Sequence, residues 1–111
     1  MSARNVVVAD TTPLNYLVLI EQIEVLHLLF GEVMIPEAVL TELRHPKAPM
    51  AVTVWLQNLP HWLHVLKVSE VDRTVQLGQG EAEAISLAIE HQVSIVLMDE
   101  RRGRAAARSI H

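Results

Sequence analysis

The amino-acid sequence predicts a three-layer α/β domain, a central parallel sheet of about four strands flanked by helices. Two runs of strand length, Val6 to Ala9 and Ile95 to Met98, are apolar at every position. That is the pattern of strands buried on both faces of a sheet. Segments of helical periodicity separate the strand-like runs, as expected when helical crossovers join parallel strands. The chain has 111 residues, half of them apolar, which suits one domain over residues 1–111 with a single core.

The elements follow in order. Asn5 to Ala9 reads as a buried strand. Thr12 is placed as the N-cap of the next helix, with Pro13 at the first helical position. Leu14, Leu17, Val18 and Ile20, then Val25, Leu26, Leu28 and Leu29, form apolar faces of two helices or one bent helix, which Gly31 ends. Val33-Met34-Ile35 is a second strand. Pro36 opens a helix from about Glu37 to His45, ended by Pro46 and Pro49. A further helix is expected from Ala51 to Leu59, a third strand from Trp62 to Val68, and a long helix from Glu81 to His91 behind Gly78 and Gly80. Ser94 to Met98 is the last strand, followed by an Arg-rich helix. No repeat, linker or low-complexity segment interrupts this order.

Composition narrows the function. The chain has no cysteine, which excludes disulfides, thiolate metal sites and cysteine nucleophiles and fits a reducing cytoplasm. No run approaches 18 apolar residues, so no membrane span is expected. The N-terminus enters a strand-like run directly, so no signal peptide is expected either. The net charge of −4 is unevenly distributed: residues 1–100 hold 13 acids against 5 bases, whereas residues 101–111 hold Arg101, Arg102, Arg104 and Arg108 and no acid. A uniformly acidic surface would argue against a nucleic-acid partner; this polarised one does not.

Several acids stand where a solvated surface does not explain them. Both apolar strands run into aspartate, Asp10 and Asp99, and ligands of open parallel sheets bind at the carboxyl ends of strands. The plainer alternative is that each caps the following helix. In Glu81-Ala82-Glu83-Ala84-Ile85-Ser86-Leu87-Ala88-Ile89, a helical phase of about 100° per residue puts Ile85, Ala88, Ile89, Ala82 and Ala84 on one apolar arc. Glu81 falls near the middle of that arc. Glu83 falls opposite, beside Ser86 and Glu90, as a solvated residue. Glu81 at the first turn also suits the helix dipole, but a carboxylate facing the protein is costly without a partner. Glu42 borders the stripe of Val39, Leu40 and Leu43. Four acids converging on one site would require protonation or a cation. An all-oxygen set without cysteine selects Mg²⁺ or Mn²⁺, ions that activate water and bridge phosphate oxygens. The chemistry indicated is phosphodiester hydrolysis.

At this point the chain resembles the PIN-domain proteins, the fold of VapC-type toxin ribonucleases. The resemblance rests on V-V-V-A-D-T-T-P-L-N-Y-L at 6–17, I-P-E-A-V-L-T-E-L at 35–43, L-G-Q-G-E-A-E-A-I-S-L-A at 77–88 and V-L-M-D-E-R-R-G-R at 96–104. It is strongest to a branch of small prokaryotic PIN-like proteins. It implies that Asp10, Glu42, Glu81 and Asp99 are the catalytic, metal-holding acids, with Glu81 where the toxins commonly carry Asp. Thr11 or Thr12 would be the hydroxyl residue supporting the first acid. The resemblance further implies Mg²⁺ or Mn²⁺ dependence, an RNA substrate, an antitoxin partner and a homodimer. Relatives continue into a further edge strand and helix, whereas this sequence stops at His111. The expected sheet therefore lacks the usual C-terminal edge strand, its edge covered by a second protomer, a swapped segment or an antitoxin.

Other signals are weaker. The arginines of the tail, Arg102 and Arg104 foremost, are candidate RNA-phosphate contacts, with a solvated terminal helix as the plainer reading. The six histidines are scattered and form no zinc set, and Trp55 and Trp62 are expected in the core. Gly78-Gln79-Gly80 does not continue as a dinucleotide-binding loop, because its third glycine position is Glu83. Two competitors to the ribonuclease reading remain: a catalytically inactive PIN-like module that binds RNA or protein, and a small-molecule phosphohydrolase.

Overall fold

The computed structural model describes residues 6–69 and 79–98. They form β1 (Val6–Ala9), α1 (Thr11–Leu19), α2 (Glu24–Phe30), β2 (Glu32–Pro36), α3 (Glu37–Leu43), α4 (Met50–Leu56), β3 (Leu63–Leu66), α5 (Gln79–Glu90) and β4 (Val96–Leu97). The four strands make one parallel sheet in the order β3-β2-β1-β4. Val33 of β2 lies between Val7 of β1 and Leu63 of β3, and Ala9 pairs with Leu97 of β4.

Two crossovers step outward from β1 to β2 to β3, and the third returns across the sheet to β4. The direction of winding reverses beside β1, and ligands of open parallel sheets bind at such a switch point, beyond the strand ends. The strands leading to Asp10 and Asp99 are thus neighbours. Asp99 itself, the Arg-rich tail with Arg102 and Arg104, and the expected covering of the β4 edge lie outside the described residues.

Alternation along the strands divides the interior in two rather than giving the single core expected. Val7, Ala9, Val33 and Ile35 point to one face and pack with Leu14 and Val18 of α1, Leu26 of α2, Val39 and Leu43 of α3 and Val52 of α4. Val8 and Met34 point to the other and meet Ala84, Leu87 and Ala88 of α5. Successive strand side chains face opposite sides, so a strand apolar at every position builds two helical layers at once. No single helix among the described residues is long and apolar enough to cross a membrane, and α1 and α2 are bent by 118° at their junction.

Helix bounds differ from expectation at several points: α4 spans Met50–Leu56 rather than Ala51 to Leu59, and α5 starts at Gln79, so Gly80 lies inside it. Asp10, not Thr12, occupies the N-cap position of α1, and Thr11 is its first residue. Pro13 still falls within the first turn, where a missing N–H removes no helical bond. Gly31 closes α2 with a φ of 82°, a conformation that a side chain disfavours.

The pairing of α3 with α5 sets up the site. Neither Pro36, at the start of α3, nor its neighbours supplies a local side-chain cap. Instead Glu83 of α5 accepts the Ala38 N–H at 3.3 Å and is itself held by the Gln79 side chain at 3.0 Å. In return Glu42 of α3 accepts the Gly80 N–H at 3.1 Å. Each helix thus satisfies an amide at the other's N-terminus, where four N–H groups lack partners. Glu83 is therefore not the solvated residue expected, and Ser86 is buried while Ile89 is 64% exposed. The cause is that α5 packs on two sides, against the sheet and against α3, so a single apolar arc misdescribes it. Glu83→Ala is expected to lower stability by about 1 kcal/mol, measured by urea denaturation, and Glu83→Gln, which keeps an acceptor oxygen, by less.

The histidines are also less dispersed than expected. The His27 ring stacks on buried Trp62 at 5.6 Å and meets His61 edge-on at 5.6 Å. His27 Nδ1 donates to the Gly31 carbonyl at 2.6 Å, which fits a packing role at the end of α2.

Candidate metal centre

Three of the four predicted acids come together. Ligand oxygens of Asp10, Glu42 and Glu81 all lie within 4.8 Å of one another, and the described residues hold no other such group of three or more. Asp10 is fully buried and Glu81 is 3% exposed.

Each is delivered by a different element. Asp10 follows β1, and its backbone N–H donates to Leu97 O at 2.8 Å, so the β1–β4 pairing carries it to the C-terminal edge of the sheet. Its side chain makes no capping bond to α1, which removes the plainer reading of that aspartate. Glu81 enters from the first turn of α5, where the helix dipole favours an anion. Its position near the middle of the helix's inward arc turns it toward Asp10.

Glu42 is the most tightly directed of the three. Thr11 Oγ1 donates to its Oε1 at 2.5 Å, and the Gly80 N–H donates to its Oε2 at 3.1 Å. Both oxygens are thereby oriented, and carboxylates held by charge-assisted bonds keep their position well. Thr11 thus supports the second acid, where the sequence suggested support of the first, and Thr12 is exposed. Asp99, Arg102 and Arg104 are beyond the described residues, so the cluster is described through three acids.

Sequence reasoning missed Gly80. A Cβ built there would sit 2.6 Å from Glu42 Oε2, 2.7 Å from Oε1 and 2.8 Å from Cδ. The carboxylate rests on the bare glycine backbone, and no larger residue leaves it that place. The signal available was a glycine directly preceding an inward-facing glutamate at a helix start.

Anionic carboxylates at this spacing repel one another by roughly 3 kcal/mol per pair at an effective dielectric near 20. A cation among them turns that repulsion into attraction. The donors are oxygens only, with no histidine or cysteine in the cluster, which fits hard divalent ions such as Mg²⁺ and Mn²⁺ and not zinc. Asp10, Glu42 and Glu81 would be the residues that hold the ion.

In a comparison with protein families, the model described as a PIN domain matches residues 6–111. No curated protein and no solved structure matches the chain.

Proposed function

The chain belongs to the PIN-domain family, a nuclease-type fold, and from that premise we propose that it is a metal-dependent endoribonuclease hydrolysing phosphodiester bonds in RNA. The observation that carries the reading is the convergence of Asp10, Glu42 and Glu81, from three separate elements, on the C-terminal end of β1. Asp99 completes the set by the sequence resemblance. A toxin role, with an antitoxin as partner and a homodimer as the assembly, belongs to the same proposal.

When bound, Mg²⁺ or Mn²⁺ supplies positive charge to the phosphate oxygens and makes water a better nucleophile. The chain's own contribution is orientation. Thr11 and Gly80 fix the Glu42 carboxylate from two sides. Burial of Asp10 and Glu81 keeps bulk water from screening their charge. These acids lie at the switch point beside β1, the place at which open parallel sheets bind their ligands.

The test is cleavage of a generic RNA by the full chain in Mn²⁺. Cleavage is expected to stop on chelation and to return when excess Mn²⁺ is restored. A thermal melt supplies a second readout, because an ion at 100 times its Kd stabilises the folded state by about 2.7 kcal/mol. A chain that neither cleaves RNA nor gains stability in Mn²⁺ would sink the proposal.

A further inference from the structure

The basic side chains among the described residues are Arg44, Lys47 and Lys67, and the fold puts all three at one end. Lys67 directly follows β3, whose last residue, Leu66, is level with Pro36 at the C-terminal edge of the sheet. The position of Arg44 and Lys47 follows from the α3–α5 pairing. Ala38 meets Glu83 while Glu42 meets Gly80, so α3 runs antiparallel to α5. Helix α5 must descend to the N-terminal end of the sheet to start β4, so α3 climbs away from the C-terminal edge. Its cap, Arg44, and the turn into α4 therefore stand just beyond the Glu42 carboxylate.

That turn is ordered and exposed. Arg44 N–H closes α3 on Leu40 O and Thr41 O, Ala48 N–H bonds His45 O at 2.9 Å, and Lys47 N–H bonds His45 Nδ1 at 3.0 Å. Arg44, His45, Lys47 and Lys67 are all exposed. Although acids outnumber bases, the ion pair among the described residues is His64 with Glu32, and it engages none of these three cations. Of the exposed acids, Glu21 and Glu24 sit at the α1–α2 bend and Glu90 at the far end of α5, whereas Glu37, next after Pro36, stands at the same sheet edge as Lys67 and away from Arg44 and Lys47.

We propose that Arg44 and Lys47 on the α3–α4 turn, with Lys67 after β3, form a rim that binds the phosphates of the nucleic-acid strand flanking the carboxylate cluster. The inference rests on the ribonuclease reading and adds the path of the substrate backbone. It gives the rim a physical task, because a cluster of acids repels a polyanion at long range and needs neighbouring cations to draw one in. Lys67 stands two strands from β1, roughly 10 Å at about 4.8 Å per strand, which sets the rim along the strand direction of a bound oligonucleotide rather than at one phosphate.

The test measures binding of a fluorescein-labelled 12-nucleotide oligouridine by anisotropy, in chelator so that nothing is cleaved. Arg44→Gln with Lys47→Gln is expected to weaken binding roughly tenfold at low salt and to flatten the slope of log K against log salt by about 1.4. Lys67→Gln should flatten it by about 0.7. A control adds the same two negative units elsewhere, through Leu28→Glu with Leu29→Glu, both exposed on α2; it should leave the slope unchanged. Equal effects from rim and control would reduce the result to net charge and overturn the rim. Mn²⁺-dependent cleavage with binding indifferent to the rim variants would overturn the rim alone. Neither binding nor cleavage by the unaltered chain would remove both readings.

Discussion

Asp10→Asn is expected to reduce RNA cleavage in Mn²⁺ by roughly 100-fold or more while leaving the fold intact. The substitution preserves size and one oxygen and removes the charge, at a fully buried member of the carboxylate cluster. Its signature separates a metal role from a structural one. In chelator, the variant loses one of the mutually repelling charges, which offsets the Asp10 contacts it gives up, so it should melt close to the unaltered chain. In Mn²⁺ the unaltered chain should gain stability and the variant should gain little. Thermal melts with and without Mn²⁺ therefore give four numbers, of which the metal reading fixes the order. A variant that is weaker in chelator yet keeps its response to Mn²⁺ would make Asp10 a structural carboxylate.

Gly80→Ala should cost both stability and activity, against the usual rule for helices. In an exposed helix interior, alanine is more favourable than glycine by about 1 kcal/mol. Here the added Cβ would meet three atoms of the Glu42 carboxylate at 2.6 to 2.8 Å, closer than real contacts permit. The carboxylate must move, and movement breaks its bonds from the Gly80 N–H and the Thr11 hydroxyl. The displaced group is the end of a flexible side chain, so the cost is that of its two hydrogen bonds, about 1 kcal/mol each, and a disturbed ligand orientation lowers metal affinity or activity about 10–100-fold. A double-mutant cycle isolates the cause. In a Glu42→Ala background the clash has no partner, and Gly80→Ala should then stabilise the chain. Destabilisation persisting in that background would place the strain somewhere other than Glu42.

The same residues show what a sequence can and cannot reveal here. The parallel strands themselves were legible in apolar runs such as Val6 to Ala9, because burial on both faces leaves a local trace, whereas their order in the sheet is tertiary. Glu81 was legible for the same reason: helical phase is a local property, and it turned this carboxylate toward the protein. Glu83 and Ser86 were misread because phase says nothing about how many neighbours a helix has, and α5 has two. Thr11 was expected to support the first acid, yet its partner is Glu42, 31 residues away. The stacking of His27 on Trp62 beside His61 is equally tertiary. Gly80 lies between these cases: the residue was visible, but its reason is a carboxylate on another helix.

The bonds from Thr11 to Glu42 and from Gly80 to Glu42 close loops of 31 and 38 residues. Loop closure of that length is paid for in chain entropy before any contact rewards it, and non-local contacts form late. The carboxylate cluster is therefore complete only when all three crossovers are in place. A chain that has folded its first two crossovers but not its third holds Asp10 and Glu42 without Glu81, and one lacking the second crossover has no Glu42 in place. A nascent or half-folded copy carries every acid in its sequence and no centre in space, so the chemistry proposed for this chain would switch on only at the end of folding.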